Sequence, residues 1–230
     1  RKGGASTLGV YEVLGIGGIS IAGDALDGTF MKHRISRHFG ADVSYKVPFG
    51  SNVLTMPTDL MAKLCSPADI SLLRKRDTLE FFKNVRTWSL GPEDKGKVDR
   101  LFALLENQLG FFVFEEIERT KRGLSEASQA EFKFAYPDID IRETIQRADF
   151  DQFAQDRIES ILGSLDRTVQ AAGIGFEGID VVCCTGGTAK VPAIYEGLVA
   201  RFGSKKVQHF NHHHSVVQGL SERARELASQ

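Results

Sequence analysis

Apolar residues recur with two different periods along the chain, and each period predicts a different kind of element. Through most of residues 58–126, and again through residues 150–169, apolar side chains recur every three or four positions, which predicts amphipathic helices. Residues 129–134 alternate between apolar and charged side chains, which predicts a half-exposed strand, and residues 138–145 are its expected hairpin partner. The middle of the chain is therefore predicted to be mostly helical, with one small antiparallel sheet.

Segments near both ends of the chain predict further strands. Residues 8–22 are rich in glycine and β-branched side chains and are expected to form one or two strands, followed by a helix that extends to Gly40. Residues 181–184 are small, mostly β-branched or thiol-bearing and uncharged, as in a strand that is buried on both faces. A helix from about residue 191, a short strand around Val207 and a last helix complete the predicted elements.

Three local signals refine these predictions. Asp24 is a favourable cap for the helix that begins near Gly23. Residues 91–94 contain glycine and proline, which predicts a turn. Residues 111–114 carry three phenylalanines on a broad apolar helical face, which predicts that these rings belong to the core.

The contrast between the ends and the middle of the chain predicts its domain organisation. Residues 1–40 and 147–230 are expected to form one sheet-containing subdomain. Residues 41–146 are expected to form an inserted, mostly helical lid subdomain with a small antiparallel sheet. The predicted fold class is therefore α/β.

The composition excludes several classes of function. Of the 230 residues, 42% are hydrophobic and 26% are charged, which is ordinary for a globular protein. The net charge of -1 supplies no field that would attract nucleic acid or an acidic membrane surface, and no apolar run reaches the roughly 18 residues of a membrane span. The three cysteines, Cys65, Cys183 and Cys184, do not suggest a disulfide framework, so a reducing compartment is expected, with the two adjacent cysteines buried as small apolar residues.

The first candidate site is the turn between the strand at residues 181–184 and the helix that follows. Gly186 and Gly187 allow a positive φ and let a ligand approach the backbone closely. Thr188 is a suitable cap for the following helix, and Pro192 suits its first turn. Free N–H groups at such a helix start can bind a phosphate, or the ribose and base beside it. The alternative is a turn without a ligand, because the full spacing of the familiar phosphate-binding loops is absent.

The second candidate site is one face of the helix predicted around residues 118–125. Four polar residues share this face because they follow at i, i+3, i+4 and i+7, namely Glu118, Lys121, Arg122 and Ser125. A carboxylate, two cations and a hydroxyl can together bind a ribose, with the arginine stacked on an aromatic base. The alternative is a solvated helix face with an ion pair.

Three consecutive histidines at residues 212–214 are the remaining candidate for chemistry. Adjacent residues do not share a face of a helix, and no acidic residue recurs at the spacing of a metal ligand. No metal site is predicted there.

Together, the two candidate sites resemble one family. The motif Glu-Arg-x-Lys-Arg-x-Leu-Ser at residues 118–125 is followed about sixty residues later by Thr-Gly-Gly-Thr-x-Lys-Val-Pro at residues 185–192. This pair is similar to the ATPase domain of the 70-kilodalton heat-shock chaperones (DnaK-like), and more closely to their YegD-like branch. The segment at residues 15–27, which ends in Ala-Gly-Asp-Ala-Leu-Asp, is similar to the family segment that ends in Gly-Gly-x-x-Phe-Asp. The resemblance covers nearly the whole chain in collinear order and implies the second lobe of an actin-like (ribonuclease H-like) ATPase domain.

The resemblance also implies which residues bind a ligand. Adenosine contacts on the lid are expected from Glu118, Lys121, Arg122 and Ser125. Adenine and ribose-phosphate contacts on the sheet subdomain are expected from Gly186, Gly187, Thr188 and Lys190. Gly23 and Asp24 match family positions near the ribose. His213 stands where the family usually has an aspartate that touches the nucleotide site, so a different affinity or pH response is expected.

The function implied by the resemblance is that of a heat-shock-70-type molecular chaperone ATPase of the cytoplasm and the stress response. The ligand would be ATP or ADP, with Mg²⁺ bound together with the first lobe of the same ATPase domain, and a nucleotide-exchange factor is a further expected partner. The family's two phosphate loops, its catalytic lysine and its Mg²⁺-positioning aspartates would precede Arg1, where the chain begins without an initiator Met. The chain is therefore expected to be a piece of a longer protein that holds half a nucleotide site and does not hydrolyse ATP alone, with no catalytic residue assigned.

Two other interpretations stay open from the sequence. Another actin-like protein, such as a sugar kinase or a cell-division filament protein, would share the strand and the Gly-Gly turn, although the motif at residues 118–125 favours the chaperone. A non-enzymatic interaction module would instead use the long helices of residues 58–126 as a surface for a partner.

Overall fold

The computed structural model describes residues 12–209 and 215–228. These residues divide into two units. The first unit consists of residues 12–20, 158–209 and 215–228, and the second consists of residues 21–157.

The second unit is mostly helical. Its helices are α1 (Gly23–Phe30), α2 (Thr58–Leu64), α3 (Arg76–Trp88), α4 (Pro92–Glu106) and α5 (Gly110–Glu126). Its strands form two antiparallel pairs, β1 (Ser44–Tyr45) with β2 (Leu54–Thr55) and β3 (Gln129–Tyr136) with β4 (Ile139–Gln146). Helix α6 (Arg147–Ala171) begins in this unit, and the boundary between the units falls within it.

The first unit contains the last part of the chain. After α6 come β5 (Val182–Cys184), α7 (Pro192–Phe202), β6 (Val207–His209) and α8 (Ser215–Ala228). Strands β5 and β6 pair in parallel, with Val182 opposite Val207. Gly197 allows α7 to approach α6 closely, since a Cβ at this position would lie 2.4 Å from a methyl carbon of Leu162. In the same unit, the ring of Phe202 packs edge-to-face against the ring of Phe176, with ring centroids 5.2 Å apart.

An aromatic cluster forms the core around α1. The ring of Phe30 lies 6.4 Å from that of Phe132 in β3 and 6.2 Å from that of Phe150 in α6, and all three side chains are fully or almost fully buried. The chain between α1 and β1 continues this apolar face as a single π-helical turn (Met31–Ile35) and a 3₁₀ turn (Ser36–Phe39). Burial of these large side chains supplies the main driving force that holds α1 against the hairpin.

The hairpin predicted from alternating residues is confirmed. Strand β3 pairs antiparallel with β4 along its whole length, with Phe132 opposite Glu143. Phe132 and Phe134 are buried, while Glu131 and Lys133 between them are exposed, as the period of two requires. The long helix predicted for residues 150–169 is also confirmed, as α6.

Other predictions of elements were wrong. No strand forms between residues 12 and 20, where the glycines leave no continuous apolar face to pair, and residues 8–11 lie outside the described residues. Residues 91–94 are not a turn, because Pro92 occupies the first position of α4, where its missing N–H costs nothing. Phe111 and Phe112 are largely exposed at the start of α5, and only Phe114 of the three phenylalanines is buried.

The architecture is mixed helix and sheet, with helices predominating. In the part of the chain that the structure describes, the strands form three separate two-stranded sheets. No helix among the same residues is both long enough and apolar enough to cross a membrane.

Candidate functional site

Helix α5 carries the four polar residues that the sequence placed on one face. Glu118 and Arg122 are exposed one helical turn apart, and the Arg122 Nη2 atom lies 3.7 Å from the Glu118 Oε1 atom. Such an exposed pair is weak, so the guanidinium is available to a ligand at little cost. Ser125 is half-buried, and its hydroxyl donates to the carbonyl oxygen of Lys121 at 3.3 Å.

Lys121 is already engaged by a partner that the sequence analysis did not assign to the site. Its Nζ atom lies 2.5 Å from the Oδ1 atom of Asp27 in α1, and the two side chains are only 12% and 11% exposed. Lys121 thus shares the helix that carries the other three residues, but unlike Glu118 and Arg122 it is largely buried. The ammonium is held between α1 and α5 by Asp27 and is much less exposed than the side chains of Glu118 and Arg122.

The electrostatics around Asp27 place several charges close together. Burial raises the pKa of the Asp27 carboxyl, the Lys121 ammonium opposes this rise, and the carboxylates of Glu118 and Asp24 add to it. A carboxylate at this position is thus stabilised chiefly by Lys121. This set of charges contains three of the predicted site residues, namely Asp24, Glu118 and Lys121.

Gly23 and Asp24 lie in the first turn of α1. The helix begins at Gly23, and the cap position is occupied by Ala22, which makes no side-chain capping bond. The prediction that Asp24 caps this helix is therefore wrong. Asp24 lies one residue inside the helix, where its charge still interacts favourably with the helix dipole.

A cleft of about 290 Å³ lies beside Asp24. Its walls include Gly28 of α1, the segment at Cys65 and Ser66, and Arg157. Burial raises the pKa of the Cys65 thiol to about 11, so this sulfur is protonated at neutral pH and is a poor nucleophile. The cleft is therefore not a site of cysteine chemistry.

The Gly-Gly turn lies in the first unit. Gly186 has a φ of +82°, a conformation that favours glycine, and Gly187 has an ordinary helical conformation. A Cβ added at either position would meet no other residue within 4 Å, so the backbone here is open. A ligand atom can therefore come close to the backbone at either glycine.

The helix start after this turn differs from the prediction. Thr188 does not cap α7, because Thr188–Lys190 forms a separate 3₁₀ turn and the cap position of α7 is Val191. Pro192 does occupy the first turn of α7, as predicted. Lys190 is exposed and Thr188 is half-exposed.

The strand before the turn is less buried than predicted. Cys184 is buried, but Val181 precedes the strand and is 48% exposed, and Cys183 is exposed. The prediction of a strand buried on both faces, with both cysteines inside, is therefore wrong for this unit. One face of β5 packs inward and the other does not, because adjacent residues of a strand point to opposite sides.

The exposed side chains of α5 and the open backbone of the glycine turn each have polar groups that a ligand could use. Exposed carboxylate and guanidinium groups on α5 can bind ribose hydroxyls and stack on a base, and open backbone at the glycine turn suits close contact. Among the described residues, no group of three or more histidine, cysteine, aspartate or glutamate side chains could hold a metal ion such as Mg²⁺. His213 and the other histidines at 212–214 lie outside the described residues.

Known proteins similar to this chain include chaperone protein HscA homologs and a heat shock 70 kDa protein. A chaperone protein HscA homolog from Paracidovorax citrulli is 29% identical over 108 residues, which cover 47% of this chain and 17% of that protein. A chaperone protein HscA homolog from Shewanella baltica is 26% identical over 144 residues, or 59% of this chain and 23% of that protein. Heat shock 70 kDa protein 2 from Paracoccidioides lutzii is 31% identical over 111 residues, or 46% of this chain and 17% of that protein. The chain spans about a fifth of the length of these curated relatives.

A family model also matches the chain. The model described as Hsp70 protein matches residues 110–228, which extend from the first residue of α5 to the last residue of α8. The matched segment contains the polar face of α5 and the turn at Gly186, whereas Gly23 and Asp24 precede it. Because the match covers more than half of the chain, the chain belongs to the Hsp70 family.

Proposed function

We propose that this chain binds the adenosine part of ATP or ADP and so supplies one half of the nucleotide site of an Hsp70-type chaperone ATPase. The first lobe of the same ATPase domain would supply the other half, including the phosphate loops and the groups that hold Mg²⁺. Chemistry on the phosphates depends on positioning by those loops and the metal, so this chain contributes binding and orientation rather than hydrolysis.

The observation that carries the proposal is the exposed Glu118–Arg122 pair on α5. It lies within the segment that matches the Hsp70 family, and Lys121 on the same helix is held by its ion pair with Asp27. An adenine ring can stack on the Arg122 guanidinium, while ribose hydroxyls bond to Glu118 and Lys121. Ser125 adds a hydroxyl one turn further along the same helix.

Four further residues would contribute from the turn after β5. They are Gly186, Gly187, Thr188 and Lys190, and they too lie within the matched segment. Their open backbone supports an adenine and ribose-phosphate contact there. Gly23 and Asp24 would approach the ribose from the start of α1.

The architecture that accompanies this function is a further part of the proposal. We assign the chain to the second lobe of an actin-like ATPase domain of the YegD-like branch. Residues 1–40 and 147–230 would form the sheet-containing subdomain, and residues 41–146 the inserted lid. A nucleotide-exchange factor would be a partner of the whole domain.

Cysteine chemistry supports a reducing compartment, such as the cytoplasm, for this protein. Cys65, Cys183 and Cys184 are all free thiols. Free thiols persist where glutathione and thioredoxin keep them reduced, which is the case in the cytosol. A role in the stress response would follow from chaperone activity of the whole protein.

A titration of adenosine into two arginine variants tests the proposed function. Arg122→Ala removes the stacking cation and is expected to weaken adenosine binding by about 1 to 2 kcal/mol, or roughly 5- to 30-fold. Arg119→Ala is the matched control, because Arg119 lies on the same helix and is similarly exposed but pairs with Glu116 instead. Calorimetry or NMR would measure both dissociation constants.

The control should bind adenosine as the wild type does, and both variants should keep the fold because both side chains are exposed. Equal binding by wild type and Arg122→Ala would show that the α5 face is only a solvated helix surface. If both variants bind adenosine equally weakly, the net charge of the protein, and not a site at Arg122, determines the affinity.

A further inference from the structure

The ion pair between Asp27 and Lys121 joins α1 to α5 and includes one residue of the proposed adenosine site. The two charged groups lie 2.5 Å apart, and neither side chain is more than 12% exposed. Asp27 and Lys121 are 94 positions apart in the chain, so the pair depends on the packing of the two helices.

A buried ion pair of this kind is a poor device for stability. Removing two charges from water costs several kcal/mol per ion before their attraction is counted, and well-packed apolar residues often serve equally well. The carboxylate of Asp27 is further disfavoured by the nearby Glu118 and Asp24. The ion pair is therefore better explained by its ordering of the Lys121 side chain than by a contribution to the stability of the fold.

The pair restricts a side chain that is otherwise mobile. A lysine carries its ammonium on a flexible four-carbon chain with three donors, and ordering it costs conformational entropy when a ligand binds. Asp27 uses at least one of those donors and leaves the others for a neighbour. Lys121 is thus held one helical turn from Glu118 before any ligand arrives.

We infer that Asp27 is a positioning residue for nucleoside binding, holding the Lys121 ammonium in the orientation in which it bonds the ribose. This inference rests on the proposed function and adds to it a residue that lies outside the segment matched by the family model. Pre-ordering of Lys121 lowers the entropic cost of binding, so loss of Asp27 weakens the complex without removing any direct contact between protein and ligand.

A double-mutant cycle with adenosine as the probe tests this inference. Asp27→Asn removes the charge with little change of shape, Lys121→Met removes the ammonium, and the third protein carries both changes. Asp27→Asn is expected to bind adenosine about 3- to 10-fold more weakly than the wild type, and Lys121→Met, which also loses the ribose contact, at least as weakly as Asp27→Asn. The double variant should bind no more weakly than Lys121→Met, because Asp27 acts through Lys121.

Asp42→Asn is the matched control. Asp42 pairs at 2.9 Å with Lys97, and the Lys97 side chain is 15% exposed, close to the value for Lys121, whereas Asp42 is 50% exposed and so less buried than Asp27. None of the partners of Lys97 belongs to the proposed site. This variant should lose some thermal stability and bind adenosine as the wild type does. It separates the general effect of breaking an ion pair from an effect on binding.

The outcomes are distinguishable. The proposed function stands if the wild type binds adenosine and Arg122→Ala binds it more weakly. The role of Asp27 is then overturned by either of two results: Asp27→Asn binds adenosine as the wild type does, or its loss of affinity adds fully to that of Lys121→Met. If the wild type binds no adenosine, both are overturned.

A measurement on the wild type covers the case in which Asp27→Asn does not fold. NMR of the lysine ammonium groups is expected to show Lys121 ordered before ligand is added and shifted when adenosine binds. A Lys121 signal typical of a freely rotating lysine, or one that adenosine leaves unchanged, would overturn the inference.

Discussion

The backbone of Cys65 lies directly against Gly28 in α1. A Cβ atom at position 28 would lie 2.5 Å from the carbonyl oxygen of Cys65, closer than such atoms approach in folded proteins. The oxygen belongs to the main chain and cannot rotate away as a side chain would. Glycine at this position therefore allows α1 to pack closely on the segment that follows α2.

Gly28→Ala is expected to destabilise the protein by about 1 to 3 kcal/mol, because the added methyl group overpacks this contact. Gly96→Ala in α4 is the matched control, since a Cβ there would meet nothing closer than an Arg100 nitrogen at 3.8 Å. The control should be stabilising by up to about 1 kcal/mol through helix propensity. Urea unfolding of the three proteins gives the comparison, and stabilisation by both changes would contradict the close packing at Gly28.

Glu143 of β4 is expected to make stability depend on acid pH. Its buried carboxylate accepts hydrogen bonds from Arg34, Arg37 and His38. Burial raises the pKa of Glu143, but the bonds to His38 and Arg37 and their charges outweigh burial and lower it to about 2. Since the usual value is 4.5, this carboxylate contributes stability above pH 4.5 that is lost as the pH falls towards 2.

Glu143→Gln should therefore lose about 2 to 3 kcal/mol of unfolding free energy at neutral pH and show a flatter dependence between pH 5 and 2. Asp140→Asn on the same strand is the control, because the Asp140–Arg142 pair is exposed on both sides. The Asp140→Asn variant should lose less than about 1 kcal/mol of unfolding free energy. Chemical unfolding across this pH range distinguishes the two, and parallel pH curves for wild type and Glu143→Gln would refute the assignment.

Adenosine, ADP and ATP are expected to bind with similar dissociation constants of roughly 0.1 to 1 mM. The proposed contacts reach the base and ribose, and a few such contacts leave little free energy beyond the cost of association. Calorimetric titrations with the three ligands in the same buffer provide the comparison. A strong preference for ATP over adenosine would place the binding determinants at the terminal phosphates and away from the α5 face.

The chain alone is expected to release no phosphate from ATP above background. Its sequence contains no Asp-x-Gly-x-x-x-Thr phosphate loop, and phosphoryl transfer depends on such loops with their metal. A phosphate-release assay on wild type and on Arg122→Ala, purified identically, checks this. Activity that is present in the wild type and reduced in the variant would belong to the chain itself and would contradict the prediction.

Elements with long, regular patterns could be predicted from the sequence. The helical spacing of residues 150–169 and the strict alternation of residues 129–134 each reflect one buried face, and both elements form as expected. Pro92 shows the limit of a local signal, because proline is as suitable for the first position of a helix as for a turn. The exposure of Phe111 likewise depends on what packs against α5, which periodicity does not reveal.

The candidate site could be predicted only in part. The shared helical face of Glu118 and Arg122 follows from their spacing, and the structure confirms it. The partner of Lys121 could not be found in this way, because Asp27 lies in another helix, 94 positions earlier in the chain. Two residues that meet only through the packing of separate helices have no characteristic separation along the sequence, so a sequence pattern does not reveal them.

The two glycines of the turn after β5 differ in what the fold demands of them. Gly186 has the left-handed backbone that other residues adopt only with strain, whereas Gly187 has a conformation open to any residue and empty space beside it. Folding alone therefore accounts for the absence of a side chain at 186 and not at 187. Position 187 is consequently a place where a small side chain or a spectroscopic label can be added without altering the backbone. If an addition at position 187 abolishes a contact, that contact is made by a ligand or by another part of the protein, and not within the turn itself.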